Sequence, residues 1–260
     1  MRILITGTNG YIGKHLSQVS PYDVTCLHRD ICDLTDKEEV DNFFGQFGKF
    51  DVVIHCAAIG GSRLVTDEDD VFHDNIQMFL NLVRIKDSFD RFIHFGSGAE
   101  KTDKGTYGFS KRVIDNMIQE LDNFYNLRIY GLFDENELST RFIKSCIDSC
   151  LTGKDIEVHE TKIMDFFHMR DLESVVNYYI TELEPPKSIE CCYSEKFYLH
   201  DIAEYIRKYL KSDVEIHYQL TDKREYIGNN LGLTNIIEDN FKKRLKENIN
   251  KLVEGYKWKK

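Results

Sequence analysis

The sequence predicts an α/β protein with a Rossmann-type, doubly wound parallel sheet and a small C-terminal substrate-binding domain. Three observations lead to this prediction. Short apolar runs alternate with amphipathic stretches through the first half of the chain, which is typical of parallel strands joined by helices. The first apolar run stops at a glycine-rich turn, and the regular alternation weakens after about residue 130. The chain has 260 residues, enough for one large domain carrying a small one.

The first strand and the turn after it form a phosphate-binding pattern. Ile3 to Ile5 is typical of a strand buried on both faces, and Gly7, Gly10 and Gly13 have the spacing of a tight turn that leads into a helix. Glycines let the backbone approach an anion, and the N-terminus of a helix attracts it. We therefore expect this turn to hold the pyrophosphate of a dinucleotide.

The following elements are predicted from periodicity and capping residues. A first helix covers Tyr11–Val19, and Thr35 with Glu38 forms a capping box that begins the second helix. The alternation of strands and helices favours right-handed crossovers between parallel strands. Strands are predicted at 24–27, 51–58, 91–95 and 127–130, and further helices at 74–89 and 107–121.

Past this point the elements suggest a second domain. An amphipathic helix is predicted over 138–151 and ends at Gly153, and another over 172–183 ends before two prolines. We assign the dinucleotide domain to 1–135 with 164–184 returning to it, and the small substrate-binding domain to 136–163 and 185–260. The remaining predicted elements are strands near 191–193 and 215–218 and helices at 201–210 and 237–249.

Composition excludes several classes of protein. The net charge of −10 argues against a nucleic-acid binder, and no apolar run is long enough to cross a membrane. Seven cysteines, an odd number, favour reduced thiols, and Arg2 is followed at once by a strand instead of a signal peptide. We expect a cytoplasmic protein. Cys146 and Cys150 lack His or Asp partners at zinc spacing, so we expect no metal.

A second group of residues has the side chains needed for proton transfer. Tyr107 and Lys111 lie four residues apart on a predicted helix and therefore project from the same face. The lysine cation can lower the pKa of the phenol and make it a usable proton donor or acceptor. Ser97, at the end of the preceding strand, can hold a carbonyl oxygen. These three residues are the predicted catalytic residues.

Several motifs follow one another in a specific order. Together they resemble the extended branch of the short-chain dehydrogenase/reductases, the NAD-dependent epimerase/dehydratase family that modifies nucleotide sugars, and the resemblance covers most of the chain. The motifs are Gly7-x-x-Gly10-x-x-Gly13, Asp33-Leu34, His55-Cys-Ala-Ala58, Asn75, Ser97, Tyr107-x-x-x-Lys111, Arg128-Ile-Tyr-Gly131 and Phe166-Phe-His-Met-Arg-Asp171.

The resemblance implies a nicotinamide cofactor and an oxidoreductase. It makes Tyr107 the acid/base, places Lys111 on the nicotinamide ribose and Ser97 on the reacting oxygen, and puts Asp33 and Leu34 near the adenine. Besides Tyr107 and Lys111, the cofactor-binding residues that it implies are Gly7, Asn9, Gly10, Tyr11, Ile12, Gly13, Arg29, Asp33, Leu34, Cys56, Ala57, Ala58, Asn75, Tyr130 and Leu132.

Departures from the family pattern narrow the expected reaction. Dehydratases carry an Asp-Glu pair where this chain has Gly98-Ala99, and ring-epimerising reductases carry a cysteine and a histidine where it has Ala99 and Arg141. Hydride transfer at one carbon remains: reduction of a 4-keto nucleotide sugar. The alternatives are a nucleotide-sugar 4-epimerase with tightly held NAD and, in another class, a non-catalytic dinucleotide sensor.

Cofactor, substrate and partner are inferred from charged and helical segments. The second strand ends in His28-Arg29-Asp30, and Arg29 favours NADP, with NAD as the alternative. Arg141, Lys144 and Arg224 are the candidate cations for the diphosphate of a nucleotide sugar. The resemblance implies a homodimer formed through the helices that contain Asp74 and Tyr107.

Overall fold

Parallel strands dominate the first half of the chain in the computed structural model, which describes residues 1–62, 65–68, 70–102 and 105–257. Short paired strands occur in the second half. Within these ranges the strands are β1 (Arg2–Thr6), β2 (Asp23–Leu27), β3 (Phe50–His55), β4 (Phe89–Ser97), β5 (Phe124–Ile129), β6 (Leu132–Phe133), β7 (Ile156–Val158), β8 (Lys162–Met164), β9 (Phe167–His168), β10 (Ser188–Cys191), β11 (Ile216–Tyr218) and β12 (Arg224–Tyr226).

Helices connect these strands, as the alternation of the sequence predicts. A single 3₁₀ turn at Lys86–Ser88 lies between the third helix and β4. The α-helices of the described residues are α1 (Tyr11–Val19), α2 (Lys37–Phe47), α3 (Asp70–Arg84), α4 (Ala99–Thr102), α5 (Thr106–Gln119), α6 (Phe142–Thr152), α7 (Met169–Thr181), α8 (Leu199–Leu210) and α9 (Phe241–Lys257).

Six of the described strands form the central parallel sheet, in the order β10-β5-β4-β3-β1-β2. The chain first moves outward from β1 to β2 and then returns to pair β3 with the other side of β1, where Ile3 faces Val52 and Thr6 faces His55. This reversal is the topological switch point, and ligands of such sheets bind beyond the strand ends there. The predicted doubly wound fold is confirmed.

The core explains why the central strands are apolar on both faces. Leu4, Val53 and Phe92 are completely buried. Aromatic rings join the sheet to its helices: the rings of Phe92 and Phe124 stack with centroids 4.7 Å apart, and Phe79 of α3 meets Phe92 edge-on. Such aromatic pairs add to the free energy gained by burying their area.

Several predicted helix boundaries are wrong, and the starts of three helices illustrate this. Helix α2 is capped by Asp36, whose carboxylate accepts from the amides of Glu38 and Glu39, because Thr35 bonds back to Asp33. Helix α3 begins at Asp70 rather than residue 74. Helix α6 begins at Phe142 with Arg141 as its N-cap, because a turn occupies the preceding residues.

The chain divides into two compact units. Unit 1 contains 1–128 and 176–189, and unit 2 contains 129–175 and 190–260, of which the structure describes residues up to 257. The segment that returns to unit 1 is thus 176–189, whereas the sequence suggests 164–184. The difference arises because β8 and β9 pair with β12 and β6 inside unit 2. Within the described ranges, no helix is both long and apolar enough to cross a membrane.

Candidate active site

The turn between β1 and α1 has the close packing that a dinucleotide cradle requires. Gly7 adopts a left-handed φ of +67°, and a Cβ there would lie 2.6 Å from the backbone nitrogen of Ala57. A Cβ on Gly13 would lie 2.5 Å from the carbonyl oxygen of Gly7. Gly10 is the N-cap of α1 and carries no capping side chain, so the helix N-terminus faces the turn with its backbone amides.

Beside this turn lies a cavity of about 220 Å³, at the carboxyl ends of β1, β2 and β3. Its walls are mainly apolar, and its position is the switch point of the sheet. The cradle and the cavity fit the pyrophosphate and adenosine half of a dinucleotide. The lining residues are Gly7, Asn9, Gly10, Leu27, His28, Arg29, Cys32, Asp33, Leu34, Thr35, Cys56, Ala57, Ala58, Ile59 and Met78.

Most of the predicted cofactor residues of the β1, β2 and β3 ends therefore line one cavity. Tyr11, Ile12 and Gly13 begin α1 beside it. The predicted cofactor residues do not include six others that line the cavity, which are Leu27, His28, Cys32, Thr35, Ile59 and Met78. Met78 lies on α3 and reaches the cavity only because that helix packs against the sheet.

Arg29 and Asp33 form the polar edge of the cavity. The Nε of Arg29 lies 2.9 Å from the Asp33 carboxylate, and the Arg29 side chain is 65% exposed. Partial burial opposes ionisation of Asp33, but hydrogen bonds from Thr35 and Arg29 hold the pKa of its carboxyl below the usual value. The predicted cation thus remains accessible at the rim, held in place by the predicted acid.

A buried histidine supports the floor of the site. The Nδ1 of His55 lies 2.9 Å from the hydroxyl of Thr6, and that hydroxyl also accepts the amide of Ala57 at 3.2 Å. Burial, together with a smaller effect of the Lys111 charge, lowers the pKa of His55 to about 3. A neutral His55 therefore joins the ends of β1 and β3 next to the glycine turn.

Asn75 of α3 is also buried, and its amide group is used by the backbone. Its Oδ1 accepts the amide of Ile59 and its Nδ2 donates to the carbonyl of Ile59, both at 2.9 Å, while a longer bond reaches the hydroxyl of Ser110. The structure thus places Asn75 as a clamp on the loop after β3. Its contact with a cofactor stays a prediction.

Lys111 and Tyr107 come together on α5 as the spacing predicts. The ammonium of Lys111 donates to the carbonyl of Phe95 at 2.8 Å and lies 5.8 Å from the centre of the Tyr107 ring. It also lies 3.4 Å from Nε2 of His94. Burial lowers the pKa of Lys111 to about 8, with Glu100 acting in the opposite direction. A Lys111 cation beside the phenol favours the ionised form of Tyr107.

Ser97 closes β4, two residues beyond the carbonyl that holds Lys111. Its Oγ accepts the amide of Ala99 at 3.2 Å, and its own amide donates to the carboxylate of Glu100 at 2.8 Å. Sequence reasoning missed Glu100 and His94. Neither carries a signal in the sequence, because Glu100 begins the polar run Glu-Lys-Thr-Asp-Lys and His94 is a single histidine within a strand.

The remaining predicted residues lie in unit 2. Arg141 and Arg224 are exposed, but the ammonium of Lys144 bonds to Asp148 and lies 5.7 Å from the centre of the Tyr256 ring. The hydroxyl of Tyr130 donates to Glu190 at 2.9 Å. Leu132 is buried in β6. Lys144 and Tyr130 therefore use their polar groups inside unit 2, and the predicted ligand contacts of all these residues stay predictions.

The fold and site of unit 1 define a class of protein. A dinucleotide cradle at the switch point and a Tyr-Lys pair beside a strand-end serine are the apparatus of an NAD(P)-dependent oxidoreductase of the extended short-chain dehydrogenase/reductase type. The sequence model of the NAD dependent epimerase/dehydratase family matches residues 3–192. This chain therefore belongs to that family, and it acts with a nicotinamide cofactor.

Solved structures share the fold over nearly the whole chain. A dTDP-4-dehydrorhamnose reductase from Bacillus anthracis in complex with NADP is 18% identical, with a TM-score of 0.80 over 96% of this chain and 98% of that one. A UDP-glucose 4-epimerase from Thermotoga maritima with UDP-glucose is 16% identical, with a TM-score of 0.83 over 98% of this chain and 100% of that one. A GDP-mannoheptose C4 reductase from Campylobacter jejuni with NADP is 16% identical, with a TM-score of 0.77 over 98% of each chain. No curated protein matches the sequence.

Proposed function

We propose that this enzyme uses NADPH to reduce a 4-keto nucleotide sugar. The observation that carries the proposal is the placement of Lys111, a buried cation that bonds to β4 and faces the Tyr107 ring. No side-chain acid or base stands at Gly98 or Ala99, and the carboxylate of Glu100 is engaged by Ser97 and Arg128. These features favour hydride chemistry at one carbon over elimination of water.

Each catalytic residue then has one task. The bound nicotinamide supplies the hydride. Tyr107 donates its proton to the carbonyl oxygen of the sugar, and Lys111 stabilises the phenolate that remains. The hydroxyl of Ser97 binds the same oxygen and stabilises the charge that develops on it.

The choice of NADPH rests on Arg29. Its guanidinium lies at the rim of the cavity, largely exposed, and its bond to Asp33 fixes its position. A cation at the end of the second strand accommodates the 2′-phosphate of NADP. Because Asp33 accepts from Thr35 and Arg29, much of its hydrogen-bonding capacity is used in the turn.

For the substrate, we propose that a nucleoside diphosphate group binds arginines of unit 2. Arg141 and Arg224 are exposed, and arginine binds phosphate oxygens through two parallel hydrogen bonds. The sequence also suggests Lys144 as a cation for the diphosphate. The structure weakens this suggestion, because the carboxylate of Asp148 already neutralises the Lys144 ammonium.

The decisive experiment replaces Tyr107 by Phe. The variant should bind NADPH as the wild type does, because the ring is retained, and it should lose nearly all turnover with 4-keto nucleotide sugars. Cofactor binding is measured by fluorescence titration and turnover by the oxidation of NADPH. Retention of most of the turnover would refute the catalytic assignment. Nicotinamide that copurifies with the protein and supports turnover without added cofactor would favour the 4-epimerase.

We also propose that two copies associate through α3 and α5. Phe72 and Phe109 stack with centroids 4.9 Å apart, and Phe109 is 49% exposed. Ile76, Leu80 and Val113 are further apolar residues of these two helices that are partly or largely exposed. Exposed apolar residues on two neighbouring helices are typical of a protein interface.

A further inference from the structure

Glu100 is a buried carboxylate directly after the strand that carries Ser97. It is only 4% exposed, although glutamate is among the residues least often buried. One carboxylate oxygen accepts the backbone amide of Ser97 at 2.8 Å. The other accepts the Nε of Arg128 at 2.5 Å.

Arg128 extends this contact to the helix that bears Tyr107 and Lys111. Its terminal nitrogen donates to Asp115 of α5 at 2.8 Å, and Asn126 donates to the same carboxylate at 2.7 Å. Arg112, one turn earlier on α5, donates its Nε to the backbone carbonyl of Glu100 at 2.6 Å. Glu100 thus connects the end of β4 to β5 and to α5.

The Glu100 carboxylate and the Asn126 amide pack closely against the backbone of Gly96. A Cβ at Gly96 would lie 2.2 Å from a Glu100 carboxylate oxygen and 2.3 Å from Oδ1 of Asn126. The strand therefore needs glycine there so that the carboxylate can pass close to the backbone. Removing a carboxylate from water costs several kcal/mol, which hydrogen bonds and the arginine offset only when the geometry is good.

We infer that Glu100 is a positioning residue that fixes the backbone of Ser97, so that the serine hydroxyl is held for the substrate oxygen. The inference rests on the proposed function, since it concerns the same serine. Glu100 acts through Ser97 because its carboxylate binds the serine amide, while Oγ of Ser97 is held separately by the amide of Ala99. A hydroxyl displaced by about 1 Å can cost about 100-fold in rate.

The experiment compares Glu100→Gln, Asp115→Asn, Ser97→Ala and the double variant Ser97→Ala/Glu100→Gln. Asp115→Asn is the matched control, because it removes the other carboxylate of Arg128 but leaves the Glu100 contact with Ser97 in place. Turnover, KM for NADPH and thermal unfolding are measured for each variant. Hydrogen exchange of the peptide that contains Ser97 reports its anchoring without any substrate.

We expect Glu100→Gln to lower kcat about 30-fold with an unchanged KM for NADPH, and to speed exchange of the Ser97 peptide. Asp115→Asn should destabilise the protein similarly but lower kcat less than about threefold. The double variant Ser97→Ala/Glu100→Gln should have a kcat less than about threefold below that of Ser97→Ala, because the serine that Glu100 positions is absent from both.

Equal losses of kcat in Glu100→Gln and Asp115→Asn would overturn the inference, as would a full effect of Glu100→Gln in the absence of the serine. Unchanged exchange of the Ser97 peptide in Glu100→Gln would overturn it as well. If Ser97→Ala and Tyr107→Phe keep their turnover while exchange changes as expected, the proposed function fails and the anchoring of Ser97 stands.

Discussion

At the scale of single residues, the site depends on charges that burial has modified. Lys111 lies in the interior with a pKa lowered to about 8, because desolvation disfavours its cation. His94 beside it is held neutral for the same reason, and the Lys111 charge adds to the effect. The cofactor edge differs, because Arg29 is exposed and donates a hydrogen bond from its Nε to the Asp33 carboxylate, which stabilises the arginine charge.

Arg29 gives the prediction at this scale. In Arg29→Ser, the KM for NADPH should rise about tenfold and the KM for NADH should change less than about twofold, because only NADPH carries the 2′-phosphate. Initial rates with the two reduced cofactors measure this. Lys37→Ser, which removes an exposed cation paired with Asp41 on α2, serves as the control and should leave both KM values unchanged. Equal changes for both cofactors would contradict the choice of NADPH.

Sequence reasoning succeeds for residues whose roles are local. The glycine spacing defines the turn after β1 by itself, and the Tyr107 to Lys111 spacing defines one helix face. Glu100 is different, since its role arises only when Arg128 and Asp115 approach from β5 and α5. Thr35 and Asp36 are both good capping residues, and only the turn around Asp33 decides between them.

At the scale of elements, the β1 turn shows how closely a helix can follow a strand. Only four residues separate the end of β1 from the beginning of helix α1, and the last of them, Gly10, is the N-cap of the helix. The approach of Gly13 to the carbonyl of Gly7 makes this possible. A larger residue at position 13 must push α1 away from the turn and so separate the helix N-terminus from the bound phosphates.

Gly13→Ala tests this element. Its Cβ would lie 2.5 Å from a backbone oxygen, so cofactor binding should weaken about 100-fold, or about 2.7 kcal/mol. The matched control is Gly45→Ala in α2, where a Cβ meets nothing within 4 Å. That variant should bind cofactor normally and gain about 0.5–1 kcal/mol of stability, because alanine is the better helix former. Equal binding by both variants would rule out the proposed role of the cradle.

The short strands of unit 2 mark the limit of prediction at this scale. Strand β8 pairs with β12, and β7 pairs with β11, over three residues each and between segments about 60 positions apart. Of these four strands the sequence predicts only β11, near 215–218, because runs of three residues carry little periodicity, whereas the longer strands of the central sheet have apolar runs that reveal most of them. The pairing of β8 with β12 and of β9 with β6 places the beginning of the segment 164–175 within unit 2.

At the scale of the whole molecule, buried histidines link stability to pH. Burial lowers the pKa of His55 to about 3 and that of His168 to about 4, and it lowers the pKa of His94 well below its usual value. In the unfolded chain these groups bind protons near pH 6.5, and in the folded chain they do not until much lower pH. Above pH 6.5 the histidines are neutral in both states, so their burial does not reduce the free energy of unfolding. As the pH falls below 6.5, the unfolded chain binds protons that the folded chain does not, and the protein loses stability.

Each of these histidines should therefore lower the free energy of unfolding as the pH falls from 7 to 5, by about 2 kcal/mol for His168, whereas the buried Glu137 carboxyl, with a pKa raised to about 8, acts in the opposite direction. Urea unfolding at both pH values measures this. His168→Gln should lose about 2 kcal/mol less over this interval than the wild type. His159→Gln, at an exposed position, should behave as the wild type does. If the free energy of unfolding of His168→Gln changed with pH as much as that of the wild type, His168 would not be the group that binds a proton on unfolding.

Self-association is the second property at this scale. Phe109→Asp places a charge in the proposed interface and should convert a dimer into a monomer, because an unpaired charge is costly to bury. Sedimentation velocity measures the change. Leu183→Asp, at a position that is 85% exposed on the segment after α7, is the control and should remain dimeric. A wild-type chain that sediments as a monomer would exclude the proposed association.

The contact between Gly96, Glu100 and Asn126 also limits how this sequence can evolve. Any side chain at position 96 collides with both neighbours, so a substitution there becomes tolerable only after position 100 or 126 has changed. A lineage that loses Glu100 leaves the arginine without this partner, while Asn126 still restricts position 96. Among natural relatives, positions 96, 100, 126 and 128 should consequently change as a group.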